Sequence, residues 1–148
     1  MFSKMLVDRD EPIIRNNLAF CQILTGAVAD GLETVTKAII DDYDPLFEMN
    51  KGIAELIQGN RDAAKQSLTN ALKQLNDTNT EFEPTASYVL ILDKELNKVG
   101  SYDGLPVDAA ILINLWQMGE LTHDELESEL TKIDVEKAQI WLAKFIAP

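Results

Sequence analysis

One cysteine, one histidine and a shortage of positive charge limit this 148-residue chain before any motif is sought. A single cysteine forms no internal disulfide, and one histidine beside it cannot complete the usual four-ligand zinc sites. Thirteen lysines and arginines stand against twenty-five aspartates and glutamates, a formal charge of -12. Nucleic-acid binding needs clustered cations on the phosphates, so direct contact with nucleic acid is not expected. No apolar run approaches the ~20 residues that a membrane-spanning helix requires. The opening Met1-Phe2-Ser3-Lys4-Met5-Leu6-Val7-Asp8 is too short and too soon charged to read as a signal peptide. The expectation is a cytoplasmic protein with no membrane, metal or cofactor partner.

What is present is an ordinary globular mixture, 46% hydrophobic and 26% charged. The length suits one domain over 1–148, large enough to build a core without staples. The acidity is unevenly placed. Residues 1–16 and 46–80 are balanced, whereas 17–45 carry one positive against five negative and 81–104 two against five. Residues 105–148 carry three positive against eight negative, mostly Glu120, Asp124, Glu125, Glu127, Glu129, Asp134 and Glu136. Such a segment reads as a solvated face, as a docking surface for a basic partner, or as a mimic of nucleic-acid phosphate.

Helix signals dominate. The internal prolines at 12, 45, 84 and 106 each lie where a helical pattern begins, a place where the missing N–H costs nothing. Gly26, Gly59, Gly100 and Gly119 lie where such patterns end and suit the left-handed closing residue. The reading is all-α, with eight helices near 12–25, 28–42, 45–58, 60–75, 84–99, 106–118, 122–132 and 134–146. In 60–75, Ala64, Leu68, Ala71, Leu72 and Leu75 form one apolar stripe with Arg61, Lys65 and Lys73 off it. Thr122 and Glu125 fit a capping box, and Asp134 fits the cap of the last helix. The run Ala86-Ser87-Tyr88-Val89-Leu90-Ile91-Leu92 also suits a buried strand; helix is predicted because the good helix formers of 93–98 continue it. Residues 76–83 and 101–105 are loops rich in turn residues.

An offset of 33 residues brings Asn17, Ala19, Gly26, Gly31, Val35 and Ala38 onto Asn50, Gly52, Gly59, Ala64, Leu68 and Ala71. The pattern is a helical hairpin whose small residues let two backbones approach, and such hairpins stack to bury their apolar faces. With Asn50-Lys51-Gly52, then Gln58-Gly59-Asn60-Arg61-Asp62-Ala63-Ala64, then Leu68 and Ala71, the second copy resembles a tetratricopeptide repeat. The first copy has Ala19 where the family often has Gly and Gly31 where it has Ala, and Pro45 ends it where the family commonly places proline. The family's early aromatic is missing, with Arg15 and Glu48 in that region. The two copies cover 12–76. Residues 84–146 depart from the pattern, and the pair over 122–146 reads as a capping hairpin, with Leu126, Leu130 and Ile133 facing Val135, Ile140, Trp141 and Ile146.

Nothing assembles into a catalytic site, and no enzyme activity is expected. His123 falls inside the capping box with no nucleophile beside it, and Cys21 lies between core residues. Asp41-Asp42-Tyr43-Asp44 lacks the turn glycine and distal glutamate of a calcium loop and reads as helix-end acidity. The resemblance implies a protein-binding module, a small acidic chaperone or adaptor similar to bacterial secretion chaperones, holding a partner's segment in a concave groove. It implies Asn17 and Asn50 as hydrogen-bonding positions with Phe20, Ile23, Met49 and Ile53 lining the groove; bonding between neighbouring helices is the other reading of the asparagines. Residues 107–118 leave almost no polar face, so this helix is either central to the core or presents Trp116 as an interface anchor. A homo-oligomer, a structural subunit of a larger assembly such as a virus particle, and an acidic inhibitor mimicking nucleic acid are the alternatives.

Overall fold

The computed structural model describes residues 12–77, 85–86, 90–92, 99–101 and 105–145. The chain is mostly helical, with seven helices among these residues: α1 (Pro12–Leu24), α2 (Val28–Asp41), α3 (Pro45–Ile57), α4 (Arg61–Asp77), α5 (Val107–Gln117), α6 (His123–Ile133) and α7 (Val135–Phe145). No helix among them is long and apolar enough to cross a membrane.

The first four helices follow local signals. Gly26 and Gly59 take positive φ of 100° and 89° and close α1 and α3, each before a short turn into the next helix. Pro45 opens α3 behind Asp44, whose Oδ1 accepts the Leu46 N–H at 2.9 Å. The acid run 41–44 is thus explained by helix ends: Asp41 pairs with Arg15 at 3.3 Å, Asp42 follows the last turn of α2, and Asp44 caps α3. Burial holds the Asp44 carboxyl above its ordinary range, against the lowering effect of that cap bond.

α1 packs along α2, α3 along α4, and α2 against α3. Small residues permit the close approach. A Cβ on Gly31 would lie 2.6 Å from Ile23 Cγ1, and one on Gly52 would lie 3.2 Å from Ala64 O, Leu68 Cγ and Ser67 Cβ. A polar seam fastens the second pair: Ser67 Oγ donates to Glu55 Oε1 at 2.6 Å, and Asn70 Nδ2 to Glu48 Oε1 at 2.8 Å. Tyr43 also donates its hydroxyl to Glu48 Oε1. Burial, then that bond, raises the phenol's pKa.

The middle of the chain corrects the sequence reading. The helix expected over 84–99 is absent from the described part of that range, which is extended. β1 (Thr85–Ala86) pairs antiparallel with β4 (Leu105–Pro106), and β2 (Leu90–Leu92) with β3 (Val99–Ser101), in the register Leu90–Ser101, Ile91–Gly100 and Leu92–Val99. Gly100 therefore sits in a strand rather than ending a helix. Residues 87–89, 93–98 and 102–104 lie outside the described residues, as do Pro84 and most of the loop expected at 76–83. Leu90 and Ile91 project to opposite sides of the strand and both are buried. Helix propensity in 93–98 is worth tenths of a kilocalorie per residue; burying both faces of an apolar strand outweighs it.

The cover is α5. Val107 and all residues from Ala109 to Leu115 are buried, so the helix apolar on every side is central to the core. It packs on α3, α4, α6, β2 and β4. Its one fully buried polar side chain, Asn114, donates Nδ2 to the Leu90 carbonyl at 3.1 Å and fixes strand against helix.

α6 begins with the expected capping box: Glu125 N donates to Thr122 Oγ1 at 3.1 Å and Thr122 N to Glu125 Oε1 at 2.9 Å. Asp134 Oδ1 accepts from the N–H groups of Glu136 and Lys137 and caps α7. The inward face of α7 is corrected. Ala138, Trp141 and Leu142 are buried, whereas Val135 and Ile140 are 67% and 61% exposed. Placing Val135 inward ignores that it is the first helical residue, one turn before the stripe at 138, 141 and 142. Ile146 lies outside the described residues.

Candidate functional site

α4, α5 and α6 enclose a groove. Helical spacing builds each wall: Leu72 and Asn76 on α4, Asp108, Leu112 and Leu115 on α5, and Asp124, Ser128, Glu129, Lys132 and Ile133 on α6. Leu121 joins from the turn between α5 and α6. Two adjoining hollows of about 430 and 410 Å³ share Leu72, Leu112 and Glu129. The floor is aliphatic, with Leu112 and Leu115 buried and Leu72, Leu121 and Ile133 half-buried. The rim is acidic. Among the described residues, Asp108, Asp124, Glu125 and Glu129 face one cation, Lys132, which already contacts Glu129 at 3.1 Å.

Two of these carboxylates have particular settings. Asp108 stands in the first turn of α5 and accepts the Ala109 N–H at 2.9 Å, yet desolvation raises its pKa above the usual range. Glu125 is held in the capping box, so its position on the rim is set by the helix start. Beside the groove, Lys65 first and Arg61 second hold the Glu120 carboxyl below its ordinary range, at 3.2 Å each. Arg61 also donates to the Met118 carbonyl at the end of α5, tying the start of α4 to the second half of the chain. Among the described residues no group of three His, Cys, Asp or Glu is placed to hold a metal ion.

The residues expected to line a concave groove lie elsewhere. Phe20 and Ile23 on α1, and Met49 and Ile53 on α3, are buried in the core, Met49 and Ile53 completely. They are packing residues rather than an open surface, because α1 and α3 are covered on that side by their neighbours and by β2 and β3. Asn50 is also fully buried and donates Nδ2 to Asn16 Oδ1 at 3.1 Å, a bond between neighbouring helices. The partner is Asn16 and not Asn17, one residue and about 100° around α1 away. Asn17 is half-buried, with its Oδ1 enclosed and without a hydrogen-bond partner among the described residues. Trp116 is half-buried against the core and is not among the residues lining the groove. His123 is exposed as the first residue of α6, and Cys21 is half-buried beside the core.

The sequence carried two partial signals for the groove. The acidic run 120–129 was visible, and Leu72 belonged to the stripe of 60–75. Nothing in the sequence brought Asp108 and Leu112 to the same place, since that requires α5 to lie between α4 and α6. No protein-family model, curated protein or solved structure matches this chain.

Proposed function

We propose that the chain is a non-enzymatic protein-binding module that receives a segment of another protein in the groove between α4, α5 and α6. The observation that carries this reading is the groove itself, an aliphatic floor open to solvent within a charged rim. Interfaces are organised in this way, with a small apolar centre to displace water and a polar edge to set orientation. The tetratricopeptide-like reading of 12–76 is supported by two successive helix pairs, each closed by a positive-φ glycine and packed tightly at Gly31 or Gly52. In this reading those pairs are the scaffold that holds α4, and the acidic second half supplies most of the recognition surface.

The test is a photoreactive residue placed at Ser128, within the groove, and separately at Gln139, exposed on α7. In cells of the native host, the Ser128 position is expected to give a discrete adduct that Gln139 does not give. Leu72→Gln with Leu121→Gln is expected to abolish it while leaving helicity intact by circular dichroism. The same adducts from both positions would sink the reading.

A further inference from the structure

The groove's charge and its walls identify the chemistry of the occupant. Among the described residues, four carboxylates stand around it with a single ammonium, and that ammonium is already engaged with Glu129. An acidic or neutral segment entering here would strip water from these carboxylates with nothing to replace it, a cost set by their desolvation. A basic segment replaces the lost water with opposite charge. The carboxylates are spread along α5 and α6 and do not converge on one point, so the compensating charge has to be distributed along a chain rather than concentrated in one ion.

The walls also decide the backbone form of the occupant. All three are helices, whose N–H and C=O groups are occupied by their own ladders. Asn76 and Ser128 are the uncharged polar side chains among the lining residues. An extended peptide would bring a row of backbone donors and acceptors into a groove with almost nothing to meet them. A helical segment satisfies its own backbone and offers side chains alone.

We propose that this groove binds a basic amphipathic helix of a partner protein, its apolar side chains seated on Leu72, Leu112 and Leu121 and its lysines or arginines meeting Asp124, Glu125 and Glu129. The proposal rests on the protein-binding reading above and narrows it to one class of partner. The raised pKa of Asp108 is consistent with it, since this carboxylate lies desolvated at the groove and makes no ion pair among the described residues.

The experiment is calorimetric titration of the full chain with a synthetic leucine–lysine peptide of about four helical turns, patterned as an amphipathic helix. Asp124→Lys with Glu129→Lys is compared with a charge-matched control on α2, Asp30→Lys with Glu33→Lys, all four positions being at least partly exposed. The groove variant is expected to lose about tenfold or more in affinity, with a shallower salt dependence, and the control less than about threefold. A scrambled peptide of the same composition, without the apolar stripe, is expected to bind at least about tenfold more weakly. Equal losses in groove and control variants would overturn the proposal, because attraction to overall charge would then suffice. Binding that survives Asp124→Lys with Glu129→Lys but is lost in Leu72→Gln with Leu121→Gln would overturn the basic partner and leave the protein-binding reading standing. A peptide that does not bind at all overturns the basic helix, and the Ser128 adduct then decides the broader reading separately.

Discussion

The two halves of this molecule reach their structures by different routes. From α1 to α4 the main breaks are local signals, Gly26 after α1, Asp44 and Pro45 before α3 and Gly59 after it, and each helix packs chiefly on its neighbours in sequence. Between 85 and 145 the β2–β3 hairpin is local, but contacts between distant residues join β1 to β4, and both the strand Leu90–Leu92 and the helix α4 to α5. Functional surface arises where segments distant in sequence meet. The first half, the less acidic of the two, buries Phe20, Ile23, Met49, Asn50 and Ile53, and the more acidic second half completes the groove.

The strongest way to break this comparison is to empty the core of the first half. Leu68 is fully buried between α3 and α4, and Leu68→Ala is expected to cost ~2–5 kcal/mol, read from urea denaturation. A cost below about 1 kcal/mol would show that the helix pair relaxes freely and is not the scaffold supposed here.

A smaller and more selective effect is expected from Asn114→Leu. It leaves the Leu90 carbonyl buried without its donor, at ~1–3 kcal/mol. Amide exchange should accelerate first at 90–92 and 99–101, with α1–α4 still protected. Uniform loss of protection across both halves would mean that they unfold as one unit and do not differ in local stability.

Gly31→Ala sharpens the same contrast from the other side. In an exposed helix the change would gain about 1 kcal/mol from propensity. Here the new methyl meets Ile23 and the Ala19 carbonyl, so net destabilisation of ~1 kcal/mol or more is expected in thermal melts. A stabilised variant would show that α1 and α2 are not held at close approach.

The smallest effect concerns Asp108. Its folded pKa is raised by desolvation, so the folded chain binds this proton more tightly than the unfolded chain does. Its contribution therefore becomes less favourable as pH rises from the ordinary carboxylate range through the raised value. Asp108→Asn keeps an oxygen to accept the Ala109 N–H and removes the charge. It should raise the melting temperature slightly at about pH 7 and give no gain at about pH 3. A loss at neutral pH would show that the carboxylate's attraction to the start of α5 outweighs its desolvation.

Much of the fold was legible because the signals were short-ranged. Pro12, Pro45, Gly26, Gly59, Thr122 with Glu125, and Asp134 all mark helix ends that depend on groups within four residues. The strands were not legible for the opposite reason. Leu90–Leu92 becomes a strand through pairing with Val99–Ser101 and cover from α5, and that cover comes from 24 residues away at Asn114. The asparagines show the same limit at finer grain. The offset of 33 residues selected Asn17 and Asn50, but helical phase brings Asn16 to Asn50. On α7 Trp141 is buried as expected; Ile140 is out of phase with the buried stripe, whereas Val135 shares its phase but lies in the first turn.

By itself, then, the sequence determined a mostly helical chain, the caps of α3, α6 and α7, the tight glycine crossings of the first two helix pairs, and an excess of acid near residues 120–136. These follow from backbone propensity, capping and charge, which act over a turn or two of chain. Tertiary structure alone decided that 90–92 is a strand, that Phe20, Ile23, Met49 and Ile53 are core, and that the acids of α5 and α6 surround the leucines of α4 and α5. Burial and proximity across the chain are properties of the packed whole, and the all-apolar helix α5 is where that packing is settled.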